Sequence, residues 1–275
     1  MTDATAQIAT PIESLPDALA DGVALRGALA GRTPVLFLDY DGTLTPIVDR
    51  PEDAILSAKG REAVRALAAK VPVAVVSGRD RADVEALVGI PELIYAGSHG
   101  FDIRVPGKGE VALDGLGDHV GLLDQVEAQL HAGLDSIDGA LIERKKFSIA
   151  AHYRLVSDGD YPAFRACLDR VAAMDGVKEK LGKKVFEFQP DIDWDKGKAV
   201  LHLRKALGLD GDDMAAMFFG DDVTDEDAFK ILPGIGGIGV LVAAPEEDGT
   251  GRLTHAQVRV ADPDAVYRLF QAMLG

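Results

Sequence analysis

The sequence predicts an α/β protein, a doubly wound parallel sheet interrupted by an inserted α+β domain. Three observations carry this prediction. Short apolar runs at 35–38, 73–76 and 93–96 alternate with helix-length amphipathic segments, the order of successive βαβ units. Between 110 and 189 the order becomes helix, two strands, helix, two strands, as in helices packed on an antiparallel sheet. After Pro190 the parallel rhythm resumes, with a helix starting at Asp195 and a buried run at 214–219. The domain reading is therefore 1–32 for an N-terminal arm and helix, 33–109 and 190–275 for the two parts of the core, and 110–189 for the insertion.

Each element has a local cause. Residues 1–15 are polar and aperiodic, which predicts a loose arm, followed by a helix over 16–30. Val35-Leu36-Phe37-Leu38 is apolar on both faces, as a strand covered by two layers must be, and it ends at Asp39. Ser57 is placed to cap a helix that buries Val64, Leu67 and Ala68. The run at 73–76 stops at Ser77-Gly78-Arg79, and Asp80 with Asp83 predicts a capped helix start. A third strand, 93–96, ends in Gly97-Ser98-His99-Gly100, and a hairpin turn is expected at 106–109. Within the insertion, helices are expected at 120–134 and 161–174, and strands at 140–143, 147–154, 177–180 and 184–188. Gly208 closes the helix opened by Asp195, the run at 214–219 ends in Gly220-Asp221-Asp222, and Thr224 with Asp227 opens another helix. A strand at 237–243 and a last helix from Asp262-Pro263 complete the core.

Bulk properties narrow the function. The 275 residues are 47% hydrophobic, enough for an ample core, and the formal charge is −16, with 45 acidic against 29 basic side chains. No basic block stands out, which argues against nucleic acid as a partner. No apolar run approaches a membrane span, and the N-terminus lacks the basic and apolar stretches of a secretory signal, so a cytoplasmic protein is expected. Cys167, the single cysteine, lies in a helical pattern that predicts a buried thiol.

Four separated pieces fall at strand ends or helix starts: Asp39 and Asp41; Ser77-Gly78-Arg79; Lys196-Gly197; and Asp221-Asp222 with Asp225. Gathered at one crevice, the carboxylates would repel unless a hard divalent cation such as Mg2+ joined them. Lys196 and the Ser77 hydroxyl could then neutralise the oxygens of a phosphoryl group, helped by the amino end of the helix that Lys196 begins. Gly42, Thr43, Gly78 and Arg79 are expected to contact the substrate beside them, since turns of this kind offer backbone N–H and hydroxyl donors to an oxyanion.

The stretch Asp39-Tyr40-Asp41-Gly42-Thr43-Leu44 resembles the first motif of the haloacid-dehalogenase-like (HAD) phosphohydrolases, and the three other motifs follow in order. The resemblance implies a HAD-like core with the insertion as a cap domain. It implies Asp39 as nucleophile, Asp41 as general acid and base, Ser77 and Lys196 as the other catalytic groups, Asp39, Asp41 (through its carbonyl) and Asp221 as Mg2+ ligands, and Asp222 and Asp225 behind them. Val76-Ser77-Gly78-Arg79, Ala96-Gly97-Ser98-His99-Gly100, Glu143-Arg144-Lys145, His152-Tyr153-Arg154 and Gly220-Asp221-Asp222-Val223-Thr224-Asp225-Glu226 are together similar to the trehalose-6-phosphate phosphatases. That narrower resemblance implies a sugar phosphate as substrate, a functional link to a trehalose-6-phosphate synthase, and Glu143, Lys145, Arg154, Lys183 and Glu187 as binders of the distal glucose. His99 orders its loop or touches substrate, and Trp194 is expected to pack. A phosphatase for another sugar phosphate, and a phospho-accepting regulatory domain, are the alternatives; the latter needs neither Asp41 nor a cap.

Overall fold

The computed structural model describes residues 9–20, 29–48, 50–111, 119–182, 184–243 and 251–274. The chain divides into two compact units, Met1–Val111 with Trp194–Gly275, and Ala112–Asp193. The first unit opens with β1 (Thr10–Pro11), β2 (Thr33–Leu38), α1 (Ala58–Ala68), β3 (Val73–Val76), α2 (Arg81–Val88), β4 (Ile94–Gly97), β5 (Asp102–Val105) and β6 (Gly109–Val111). The second unit holds α3 (His119–Leu134), β7 (Leu141–Arg144), β8 (Ile149–His152), α4 (Tyr161–Ala172), β9 (Val177–Gly182) and β10 (Val185–Pro190). The first unit then resumes with α5 (Lys196–Leu207), β11 (Met214–Gly220), α6 (Glu226–Ile231), β12 (Ile238–Val242), β13 (Leu253–Thr254), β14 (Val258–Val260) and α7 (Pro263–Leu274).

The main sheet has the order β14-β12-β11-β2-β3-β4-β5-β6, parallel except for the β5–β6 hairpin at one edge. Residues 35–38 are buried because the strand is covered on both sides. On one face, α1 and α7 pack over Leu36, Leu38, Val75 and Phe219 through Val64, Leu67, Val266 and Phe270. The strand order turns at β2, where Leu38 pairs with Val75 on one side and Phe219 on the other. The chain therefore emerges from three adjacent strands to within one residue of the same level, as Asp39, Ser77 and Asp221, the crevice where open α/β sheets hold ligands.

The second unit is a four-stranded antiparallel sheet, β7-β8-β10-β9. Leu123, Val126 and Leu130 of α3 and Phe164 and Leu168 of α4 bury Ile149, Ala151, Phe186 and Phe188 on one face. Strand alternation leaves Glu143, Ala150, His152 and Glu187 on the other. Cys167 is buried in the helical layer, as expected.

Several local expectations are corrected. The described N-terminal residues are no loose arm: β1 pairs with β13, and Ile12 and Leu15 are buried, two apolar residues too isolated to form a pattern. Of the helix expected at 16–30, residues 16–20 form a bridge and turns instead, 21–28 lie outside the described residues, and Leu29 is helical as expected. Asp80 does not cap α2 with its side chain; its carboxylate accepts from Ser98 Oγ at 3.2 Å. The turn before α6 is capped by Asp222 in a reciprocal box with Asp225, not by Thr224. The strand β14 went unrecognised because three residues carry too little periodicity. No helix among the described residues is long and apolar enough to cross a membrane.

Candidate active site

The centre of the site is the Lys196 ammonium. Asp195 caps α5 by accepting from the Lys198 amide at 2.8 Å, which makes Lys196 the first helical residue and fixes its entry to the cluster. Lys196 donates to Asp39 Oδ1 at 2.9 Å and to Asp225 Oδ1 at 2.6 Å, with all three side chains buried. The other Asp225 oxygen accepts from the Asp221 and Asp222 amides at 2.9 and 3.0 Å. Both Asp225 oxygens are thus engaged, one by Lys196 and one by the loop amides, and Asp222 is an exposed cap on the same loop.

Asp221 faces this pair from the end of β11. One carboxylate oxygen from each of Asp39, Asp221 and Asp225 lies within 4.8 Å of the others, a grouping that could hold a metal ion. Thr43 Oγ1 donates to Asp221 Oδ1 at 3.3 Å, whereas Asp39 Oδ2 and Asp221 Oδ2 have no hydrogen-bond partner among the described residues. Gly42 makes room for this approach: its φ is +78°, and a Cβ there would stand 2.0 Å from Asp221 Oδ2.

The electrostatics expose a deficit of positive charge. Burial and the neighbouring Asp225 and Asp222 push Asp221 up to about 7. Burial also lifts Asp39 well above the usual carboxylate range, against the pull of Lys196. Burial works to lower Lys196, but the charges of Asp39 and Asp225 outweigh it and hold the ammonium above its ordinary value. Three carboxylates and one ammonium leave a surplus of negative charge, and hard oxygen donors of this kind suit Mg2+. The residues therefore fit a divalent cation held by Asp39 and Asp221.

Asp41 and the Ser77-Gly78-Arg79 turn stand beside the cluster. Arg79 forks onto Asp41, Nε to Oδ2 at 2.7 Å and Nη2 to Oδ1 at 2.6 Å. Ser77 is buried and its hydroxyl accepts from the Arg79 amide at 3.1 Å. His99, at φ +57°, donates its amide to the Ser77 carbonyl at 2.8 Å, and its ring covers Gly78, where a Cβ would meet it at 2.8 Å. It orders the loop. Trp194 packs near Phe101 and His202.

The second unit carries the remaining expected residues, with differences. Lys145 Nζ reaches Glu187 Oε1 at 3.3 Å, and Ser148 Oγ donates to the same oxygen at 2.6 Å. Glu143 lies 2.9 Å from His152 Nε2. Lys145, His152, Lys180 and Glu187 line a cavity of about 190 Å3 on the sheet face that carries no helices. Arg154 does not line it: β8 ends at His152, two residues short of the expected strand, and Arg154 falls in an exposed turn. Lys183 lies outside the described residues. His152 and Lys180 were missed, although strand alternation from Ala150 and the register Lys180 to Glu187 place both on this face.

A family model for trehalose-phosphatase matches residues 37–263. The chain is 40% identical over 271 residues to a trehalose 6-phosphate phosphatase of Zea mays, covering 93% of this chain and 73% of that protein. It is 42% identical over 241 residues to an uncharacterized glycosyl hydrolase of Mycobacterium tuberculosis; that match takes in 84% of this chain but spans only 18% of the mycobacterial protein. The structure of an Aspergillus fumigatus trehalose-6-phosphate phosphatase superposes with a TM-score of 0.66 at 30% identity, over 94% of this chain and 98% of that one. The matched span contains the aspartate cluster, Lys196 and the whole four-stranded unit, and the chain belongs to the trehalose-phosphatase family.

Proposed function

We propose that the chain is a Mg2+-dependent phosphatase that hydrolyses trehalose 6-phosphate to trehalose and phosphate through an aspartyl-phosphate on Asp39. The observation that supports this most is the buried Lys196 ammonium joined to Asp39 and Asp225, with Asp221 close by and one oxygen each of Asp39 and Asp221 unpartnered among the described residues. The unpartnered Asp39 oxygen attacks phosphorus, and the bond to the sugar oxygen breaks as Asp41 donates a proton to it. Asp41 then takes a proton from water, which attacks the phosphorus and releases phosphate from Asp39. Lys196 and Ser77, with Gly42, Thr43 and Gly78 beside them, neutralise and orient the phosphoryl oxygens. Held by Asp39, Asp221 and the Asp41 carbonyl, Mg2+ would supply further positive charge to the transferring group.

The second unit is assigned the sugar. Glu143, Lys145 and Glu187 are exchangeable hydrogen-bonding groups on one sheet face, and with Lys183 they bind the distal glucose; Arg154, in its exposed turn, is given no part in this. The protein acts in the cytoplasm, where a trehalose-6-phosphate synthase would supply its substrate.

Phosphate release from trehalose 6-phosphate, glucose 6-phosphate and other sugar phosphates, with and without EDTA, tests the reading. Turnover should favour trehalose 6-phosphate, vanish with EDTA and return with Mg2+. Equal turnover of glucose 6-phosphate would remove the specificity claim, and activity that survives Asp39→Asn would remove the mechanism.

A further inference from the structure

The contact between Arg79 and Asp41 is the most fully built interaction in the site that the mechanism above leaves without a task. Both Asp41 oxygens are engaged by one guanidinium, at 2.7 and 2.6 Å. A two-point fork of this kind fixes the plane of a carboxylate as well as its distance. The arginine is itself held on every side. Its amide donates to Ser77 Oγ at 3.1 Å, its carbonyl accepts from the Ser98 amide at 2.7 Å, and its guanidinium lies 5.5 Å from the centre of the Tyr40 ring. Tyr40 is in turn fully buried and donates its hydroxyl to the Ala54 carbonyl at 2.5 Å. Ser98 and His99, which brace the Ser77–Arg79 turn, both adopt positive φ, +50° and +57°, so an uncommon backbone conformation is maintained there. The residue between the two aspartates thus supplies a platform, and the turn after β3 supplies an arm that reaches Asp41 from it.

We infer that Arg79 is a positioning residue for Asp41: braced by Tyr40 and the Ser77–His99 turns, it sets the rotamer and plane of the carboxyl group that serves as general acid and base. The inference rests on the proposed phosphatase reading and deepens it. Arg79 acts through Asp41, not through a contact with the phosphate. Its effect belongs to the step in which the leaving oxygen takes a proton as the phosphorus–oxygen bond breaks. Sugar alkoxides leave poorly without that proton, whereas 4-nitrophenolate leaves readily without it.

The test compares kcat/KM, which reports events up to the first departure of the leaving group, on trehalose 6-phosphate and 4-nitrophenyl phosphate. In Arg79→Met both values fall, but the sugar ester falls about 100-fold, at least ten times further than the aryl ester. Arg79→Lys keeps the charge without the fork and retains most of that split. In an Asp41→Asn background, Arg79→Met adds less than about three-fold to the loss on the sugar ester, because residues acting as one unit are not additive. Equal losses on the two esters, full rescue by lysine, or additive losses would each overturn the inference. Crystal structures of the wild type and Arg79→Met decide the placement separately: an Asp41 side chain that stays in one position in both would overturn it, even if neither ester were hydrolysed. Failure of the wild type to hydrolyse either ester would count against the phosphatase reading itself.

Discussion

Lys196 in the first unit and Lys145 in the second each reach acidic side chains, under opposite constraints. The Lys196 side chain is 3% exposed and holds two carboxylates at 2.9 and 2.6 Å, while Lys145 is 28% exposed and meets one at 3.3 Å. Removing one member of a buried, hydrogen-bonded charge cluster strands its partners away from water. A half-solvated pair on a strand face contributes about 1 kcal/mol or less and exchanges its partners readily. The difference separates two tasks. Under the proposed function, the groups that would meet a transferring phosphoryl group are prevented from relaxing, whereas those that would meet sugar hydroxyls are left able to let go of one another.

The comparison breaks most easily at Lys196. Lys196→Met should lower turnover by at least about 1000-fold and, with Mg2+ absent, destabilise the fold by about 3–5 kcal/mol in urea titration. A variant as stable as the wild type would show that the buried cluster is less constrained than its geometry implies. Gly42→Ala comes next, because its Cβ would overlap the Asp221 carboxylate, 2.0 Å from Oδ2, at a φ of +78°. Its expected signature is a lost Mg2+-dependent rise in Tm together with lost turnover, while far-ultraviolet circular dichroism stays native. A retained Mg2+ response would mean that the cation does not depend on Asp221 in this position.

pH should separate the two units as well. Asp221 titrates near 7 in the folded, metal-free protein and near 3.8 in an open chain, so between those values the folded state binds the extra proton. The metal-free protein therefore loses stability as pH rises from about 4 to about 7, a loss that deprotonation completes above the folded value. Mg2+ must displace that proton, so a fixed Mg2+ concentration should raise Tm more at about pH 8 than at about pH 6. A gain independent of pH would exclude Asp221 as the titrating ligand. The smallest effect is expected from Lys145→Ala, with KM for trehalose 6-phosphate up about ten-fold, from one lost charged hydrogen bond, and stability changed by less than about 1 kcal/mol. A large loss of stability there would erase the contrast with Lys196.

Much of the first unit was legible because its chemistry sits at the ends of apolar strands. Asp39, Ser77 and Asp221 are each announced by four or more buried residues before them, and β-strand register brings them to within one residue of the same level. Lys196 is announced by the cap at Asp195. What stayed hidden is what lies between elements: the fork from Arg79 to Asp41 joins residues 38 apart in sequence, and nothing in either motif states which way the arginine points. In the second unit, the face was readable from alternation but its ends were not. An apolar and aromatic run suggested a strand through Arg154, whereas pairing stops at His152, so the histidine takes the place on the cavity wall. Ile12 and Leu15 were hidden for the opposite reason, being buried side chains with no periodic neighbours.

The central claim is that Asp39, held by Lys196 beside Asp221, attacks phosphorus. It is tested most directly by quenching the enzyme with borohydride during turnover of trehalose 6-phosphate and mapping the peptides by mass spectrometry. An aspartyl-phosphate predicts reduction of the carboxyl group at Asp39, abolished by EDTA and absent in Asp39→Asn. Continued turnover with Asp39 unreduced, or reduction at another carboxylate, would contradict it.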